Sequence, residues 1–269
     1  TPATKYVLRR KPPGKLLPSA HAVDREYKVI TALHGEGFPA PRTYCLCEDD
    51  DVIGTMFYIM DMVEGRVLWE PLLPAQDRET RWKIYDSLNA TLAQLHTIDY
   101  EKIGLGDFGK PGNYFARQIS RWTKQYVASE TETIPEMNKL MEWLPENVPQ
   151  EESNSIVHGD YRLDNTVLHP TEPKVVAVLD WELSTLGHPL GDFTYSLMQW
   201  VMPGQGTGGG TGSIKTADLK SLGIPTLEEY IQMYCERTNR SGIENLDFYF
   251  SYNFFRLAGI LQGIAGRVR

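Results

Sequence analysis

Residues 155–184 read SIVHGDYRLDNTVLHPTEPKVVAVLDWELS, and the reading of this stretch decides the fold. Two apolar runs, TVL at 166–168 and VVAVL at 175–179, flank the polar segment HPTEPK. β-Branched residues favour extended chain, and Pro170 and Pro173 punctuate the turn, so the pattern predicts a β-hairpin. Just before the first strand, in HGDYRLDN, Asp160 and Asn165 stand five positions apart; just after the second comes Asp180, in LDWE. A short hairpin brings its ends together, so Asp160, Asn165 and Asp180 are expected to converge although twenty positions separate the outer two. Two carboxylates and an amide oxygen at the mouth of a hairpin are hard oxygen donors, suited to Mg²⁺ together with a base.

The chain around this stretch has 269 residues and 41% apolar content, enough to bury a sizeable core as one large or two small domains. A net charge of −8 argues against a general nucleic-acid binder, which needs a basic face. Six Trp, fourteen Tyr and nine Phe argue against disorder over most of the length. Three cysteines, Cys45, Cys47 and Cys235, form neither a disulfide framework nor a metal knuckle, which points to an intracellular, reducing compartment: the cytoplasm, or a peroxisome or mitochondrion in a eukaryote. No apolar run reaches the roughly 20 residues needed to cross a bilayer. The basic opening, TPATKYVLRRKPPGK, lacks an apolar signal segment, and because it begins with Thr the true start is expected upstream.

The Asp160, Asn165 and Asp180 set resembles the protein-kinase-like catalytic core, in which a catalytic-loop Asp takes the hydroxyl proton while an Asn and a later Asp hold Mg²⁺. HGDYRLDN and DWE are the form seen in the aminoglycoside phosphotransferase and choline kinase-like small-molecule kinases. The resemblance implies Asp160 as catalytic base and Asn165 and Asp180 as metal ligands. It implies an α+β, two-lobed fold, with a small β-rich N-lobe over residues 1–62 and a larger, mainly helical C-lobe over 63–269. The strings VLRRKPPGKLLPSAHAVDRE, DVIGTMFYIMDMVEG, RWTKQYVASET, HGDYRLDN and AVLDWELSTLGHPLGD resemble one branch in particular. That branch is the phosphotransferase domain found upstream of the dehydrogenase in acyl-CoA dehydrogenase family members 10 and 11. The family's first hairpin and its phosphate-covering loop have no counterpart in the sequence, so a partial N-lobe is expected.

In the N-terminal part, residues 6–8 read as a strand running into Arg9, Arg10 and Lys11 and stopped by Pro12-Pro13-Gly14. A helix follows from about Ser19, its plausible cap, to Gly35 or Gly37. The resemblance implies a phosphate-binding cation on this strand and a Glu partner on this helix: Arg9, where such kinases have Lys, and Glu26, with Lys11 as rival cation. An extended segment at 43–47, an acidic turn EDDD, and a strand at 56–62 lead to a hinge at 61–65. There the resemblance implies adenine contacts by the carbonyl of Asp61 and the amide of Val63, with Met60 and Met62 as core or pocket wall.

The second part reads as helical at 77–96, 114–126, 135–144, 226–237 and 246–269. His96 ends the first of these as a buried structural histidine, Phe108 tucks in under a loop, and the last helix packs through Phe250, Phe254, Leu257, Ile260 and Leu261. Asp192 resembles the family Asp that props the catalytic loop through backbone hydrogen bonds. The glycine-rich run at 203–212 lacks the Lys-Ser/Thr of a P-loop and reads as a flexible loop.

Together these features point to an ATP- and Mg²⁺-dependent phosphotransferase acting on the hydroxyl of a small molecule. The branch implies a hydroxy acid or hydroxyacyl-CoA substrate, and fusion to or association with an acyl-CoA dehydrogenase. Aminoglycosides or choline remain substrates of the same chemistry. A catalytically inactive nucleotide-binding or scaffolding module and a metal-dependent hydrolase are the rival readings. Neither the oligomeric state nor the organelle is legible.

Overall fold

The computed structural model describes residues 4–11, 22–151, 153–203 and 212–268. The expected cap Ser19, the turn Pro12-Pro13-Gly14 and nearly all of the glycine-rich run lie outside the described residues.

The first lobe is a three-stranded antiparallel sheet in the order β1-β3-β2, from β1 (Tyr6–Arg10), β2 (Thr43–Cys47) and β3 (Phe57–Asp61), with α1 (Val23–Gly35) packed on it. Val23, Glu26, Val29, Ile30 and Leu33 make the buried face of α1, the three- and four-residue recurrence of an amphipathic helix. The acidic stretch read as a turn contains a one-turn helix, α2 (Asp50–Ile53), because the Asp49 carboxylate caps it by accepting from Asp51 N–H at 2.9 Å. Met60 packs on the core, but Met62 is largely exposed, since β3 ends at Asp61 and the alternation of its faces ends with it.

The second lobe is mainly helical, built around α3 (Arg78–Thr97), whose buried residues include Tyr85, Leu88, Leu92 and Leu95. α4 (Tyr114–Ser129) and α5 (Pro135–Glu146) follow. β4 (Ser155–Val157) pairs with β7 (Thr185–Gly187), and β5 (Thr166–Leu168) pairs with β6 (Val175–Val178) as the expected hairpin. α6 (Pro189–Ser196), the short α7 (Met198–Val201) and α8 (Leu219–Leu222), α9 (Leu227–Arg237) and α10 (Leu246–Val268) complete it.

α10 is buried through a different stripe from the one its aliphatic residues suggest. Phe248, Tyr249, Tyr252, Phe255 and Arg256 are buried, whereas Leu261 is exposed and Phe250, Phe254, Leu257 and Ile260 are half-buried. The aromatic stripe packs on α4 and α6, where Phe115 meets the rings of Phe248, Tyr249 and Tyr252. An arginine can join it because its guanidinium finds a backbone acceptor and two aromatic faces.

Contacts between the lobes position the site. Val178 N–H donates to Pro39 C=O at 2.8 Å, Phe38 meets the Trp181 ring edge-on at 5.8 Å, and Arg25 donates to Phe108 C=O at 2.6 Å. The segment after β3 closes on the hairpin through Arg66 and Leu168, which exchange both backbone hydrogen bonds at 2.8 Å. Gly65 makes that approach possible: a Cβ there would lie 2.3 Å from the Leu168 carbonyl oxygen.

Candidate active site

The loop carrying Asp160 is held from beneath by a buried carboxylate. Asp192, near the start of α6, accepts from His158 N–H at 2.7 Å and Gly159 N–H at 2.8 Å, as a loop-propping Asp should. Its Oδ2 also meets His96 Nε2 at 3.2 Å, and His96 Nδ1 meets the Tyr234 hydroxyl at 2.7 Å. His96 is therefore the structural histidine its sequence context suggested, with a carboxylate partner from 96 residues away. Burial alone would raise the Asp192 carboxyl, but the hydrogen bond and charge of His96 outweigh it and hold the group below its ordinary range. Gly159 takes φ +84°, and a Cβ would sit 2.8 Å from the Leu183 carbonyl oxygen, so only glycine fits this turn.

On this support the expected residues draw together. Asn165 Nδ2 donates to the Asp160 carbonyl at 2.8 Å and to its Oδ2 at 3.1 Å, leaving Asn165 Oδ1 as an acceptor. Leu179 N–H donates to Asn165 C=O at 2.8 Å, which sets Asp180 beside the Asn165 end of the hairpin. Asp180 stands in the left-handed region, φ 65° and ψ 63°, an unfavourable conformation for a residue with a Cβ and one that concentrates at functional sites. His158 Nε2 lies 2.8 Å from Leu179 C=O, and His158 Nδ1 accepts from Asp160 N–H at 3.2 Å, so one imidazole ties the loop to the strand before Asp180.

The lobe above contributes Arg9. Its Nε and terminal nitrogen donate to Glu26 Oε2 and Oε1 at 3.1 and 3.2 Å, a bidentate pair, and Tyr58 O–H donates to Glu26 Oε2 at 3.1 Å. Burial opposes the Arg9 charge, yet the hydrogen bonds and charge of Glu26 keep its pKa above the ordinary value. The guanidinium also lies 4.0 Å from Asp180 Oδ1 and 3.6 Å from Glu182 Oε2, so it reaches across to the hairpin. Lys11 is exposed, at the sheet's end, with its backbone N–H bonded to Met56 C=O at 3.2 Å. Asp61 pairs with Tyr6 in the sheet and Met62 N–H donates to Lys5 C=O at 3.2 Å, so the pairing of β1 with β3 ends here.

Several participants escape the sequence pattern. Tyr195 O–H donates to Asp160 Oδ1 at 2.7 Å, and Arg162 Nε forms an ion pair with the same oxygen at 3.3 Å. Buried Arg256 donates to Gly159 C=O. Arg256 comes from a helix read only for its apolar face, and Tyr195 from a segment in which only Asp192 was singled out. Glu182 was in view in DWE, and its charge was the signal that could have marked it as a partner for Arg9.

Beside Asp160 opens a pocket of about 610 Å³, counting the solvent at its mouth. Leu88, Leu163, Met198, Met202 and Leu257 supply apolar wall, Tyr161 and Tyr195 flank it, and Arg162 is the one charged residue in its lining among the described residues.

The model of the phosphotransferase enzyme family matches residues 1–245. The chain belongs to that family. Membership of that family supports a kinase that acts on a hydroxyl group. It is 45% identical over 263 residues to acyl-CoA dehydrogenase family member 10 of Mus musculus, covering 98% of this chain and 24% of the relative. To acyl-CoA dehydrogenase family member 11 of Homo sapiens it is 44% identical over 264 residues, covering 97% and 33%. The chain thus spans a quarter to a third of the length of these curated relatives. A solved structure from Ralstonia eutropha JMP134, provisionally named an aminoglycoside phosphotransferase, superposes with a TM-score of 0.91 at 54% identity, over all of this chain and 78% of that one. The two-lobed kinase-like phosphotransferase fold is therefore the fold of this chain. Among the described residues, no helix is long and apolar enough to cross a membrane.

Proposed function

We propose that the chain transfers the γ-phosphoryl group of ATP to the hydroxyl of a hydroxy acid or hydroxyacyl-CoA. The kinase-like phosphotransferase fold supports nucleotide use, and the observation that carries the substrate class is the pocket beside Asp160. Its walls are largely apolar, and the one charge in its lining among the described residues is a cation, Arg162, ion-paired with Asp160 and Asp164. A polycationic aminoglycoside or a quaternary amine gains little from such a lining, whereas an acyl chain buries apolar surface in it.

In this reading Asp160 accepts the proton of the acceptor hydroxyl. The acceptor oxygen bonds to the transferred phosphorus as its bond to the ADP leaving oxygen breaks. Positioning and charge neutralisation supply most of the acceleration. The donor set fits a hard cation: Asn165 keeps an amide oxygen available, and the Asp180 carboxylate, partly exposed at the hairpin mouth, is held in a strained backbone position. Asn165 and Asp180 would hold Mg²⁺, which when bound neutralises charge on the β- and γ-phosphates. Arg9, oriented by Glu26, would steady the phosphates, and the backbone of Asp61 and Val63 would meet the adenine. Free thiols at Cys45, Cys47 and Cys235 support a reducing, intracellular setting. Similarity to acyl-CoA dehydrogenase family members supports a fused or associated dehydrogenase as partner.

The test is a panel of hydroxyacyl-CoAs, hydroxy acids and amino-alcohols incubated with ATP and Mg²⁺ and read by the mass of phosphorylated product. Phosphorylation of amino-alcohols with no hydroxyacyl product would overturn the substrate class. A second reading, an inactive nucleotide-binding module, is favoured by one observation: the Arg9 guanidinium lies against Glu26, Asp180 and Glu182 at once. Metal-dependent ATP binding by calorimetry, without turnover of any acceptor, would establish it.

A further inference from the structure

We propose that Tyr195 is a positioning residue for Asp160: its hydroxyl holds Oδ1 of the carboxylate and leaves Oδ2 as the atom that takes the proton. This rests on the phosphotransfer reading. The Tyr195 hydroxyl donates to Asp160 Oδ1 at 2.7 Å, and Arg162 Nε pairs with that oxygen at 3.3 Å. Oδ2 accepts only from Asn165 Nδ2, at 3.1 Å, among the described residues. The Arg162 guanidinium lies against Oδ1 as a charge contact without a hydrogen bond, and its positive charge opposes a proton there, whereas Oδ2 is held only by an uncharged amide. The carboxylate is thus held at both ends, and the oxygen away from the Arg162 contact is the one left to take the proton.

The phenol is itself held rigidly. Tyr195 lies on α6, one turn after Asp192, so a single helix fixes the loop's backbone through one residue and its catalytic side chain through the other. The Arg256 guanidinium stacks 4.9 Å from the Tyr195 ring centroid while donating to Gly159 C=O, which ties the ring to the residue preceding Asp160. Burial first, and then the Asp160 charge, push the Tyr195 phenol well above its ordinary range, so it stays a hydrogen-bond donor at any working pH. Tyr195 also lines the apolar pocket, so the group that aims the carboxylate is part of the wall against which an acceptor lies.

The experiment compares the unmodified protein, Tyr195→Phe, Asp160→Asn and the double variant, with Mg²⁺-ATP and whichever acceptor of the panel is phosphorylated fastest. Tyr195→Phe keeps the ring and removes one donor to a charged group. We expect kcat to fall roughly tenfold, with KM for ATP within about twofold and an unchanged thermal midpoint. In the Asp160→Asn background the same change should cost nothing more, because its effect passes through the carboxylate. Tyr195→3-fluorotyrosine keeps both shape and donor, should hold kcat within about twofold, and carries the test if Tyr195→Phe does not fold. An unchanged kcat in Tyr195→Phe, a loss that multiplies with Asp160→Asn, or an equal loss with fluorotyrosine overturns the proposal. No turnover by the unmodified protein on any acceptor overturns the phosphotransfer reading, and this proposal with it.

Discussion

Asp160 and Asp180 are both aspartates at the mouth of one hairpin, but their surroundings give them different work. Asp160 is bonded by Asn165 and Tyr195, while Asp180 stands on a strained backbone facing Arg9 from the opposite lobe. Asp160→Asn keeps shape and removes the proton acceptor. Turnover should fall by about 10²–10⁴, with nucleotide affinity within a few-fold. Asp180→Asn removes charge from the proposed metal site, so calorimetry should show weakened Mg²⁺-ATP binding, partly restored by excess Mg²⁺. Weak nucleotide binding by Asp160→Asn with normal turnover by Asp180→Asn would reverse the roles. Arg9 offers a third test at this scale. Arg9→Met should raise KM for ATP about tenfold or more, as loss of a charged contact does, while Lys11→Met leaves it unchanged. The opposite pattern would move the phosphate role to Lys11. Arg9 and Glu26 were legible as a pair because a strand cation and a helix Glu are parts of a known plan. Tyr58, the second partner of Glu26, was not, since nothing in a strand's alternation says which hydroxyl meets which carboxylate.

Among the elements, the hairpin and the loop before it form one unit whose geometry rests on Gly159 in the loop and on Gly65, which lets the segment after β3 approach Leu168. Gly159→Ala would force an L-residue to φ +84° and bring a Cβ within 2.8 Å of a carbonyl oxygen. The expected cost is on the order of 1–3 kcal/mol, read as a lower urea midpoint, together with a loss of turnover because Asp160 is the next residue. Gly35→Ala, where a Cβ meets nothing within 4 Å, is the control and should leave both unchanged. Equal effects at the two positions would argue against the tight turn. The hairpin was legible from two apolar runs and a proline-bearing turn, and the long helices from their period. α10 was legible as a helix but not by its buried face. Aliphatic residues marked one stripe, whereas the packed stripe is aromatic and holds an arginine whose charge only tertiary partners can satisfy.

At the scale of the molecule, acid stability depends on a buried histidine at the start of α6. His188 Nδ1 accepts from Leu190 N–H at 3.2 Å, a cap that requires an unprotonated nitrogen. Burial lowers its pKa from 6.5 to about 4, with the nearby Glu151 charge opposing and Arg240 assisting. Between those values the unfolded chain binds a proton that the folded chain does not. Stability therefore rises with pH across this window and falls on acidification from about pH 6.5 to 4, by roughly 3 kcal/mol at most. Asp192 acts lower still: its depressed carboxyl contributes stability above the ordinary carboxylate range and loses it as pH falls through the folded value. His188→Asn keeps a capping acceptor without a titrating ring, so its urea midpoint should vary less between pH 4 and 7 than that of the unmodified protein. Equal slopes would remove His188 as the cause.

The order of residues by itself determined the hairpin, the spacing of Asp160, Asn165 and Asp180 around it, and the succession of a β-rich part and a helical part. These follow from local period, turn chemistry and chain connectivity, which act over a few residues. Only the tertiary structure decided that Asp192 meets His96, that Tyr195 and Arg162 share one oxygen of Asp160, and that Arg9 spans from Glu26 to the hairpin. Those contacts join residues from two to 171 positions apart, and the distant ones come from elements that meet only after the lobes pack. A buried polar group is stable only with its partner in place, and the partner's address is a property of the packed core rather than of any window of sequence.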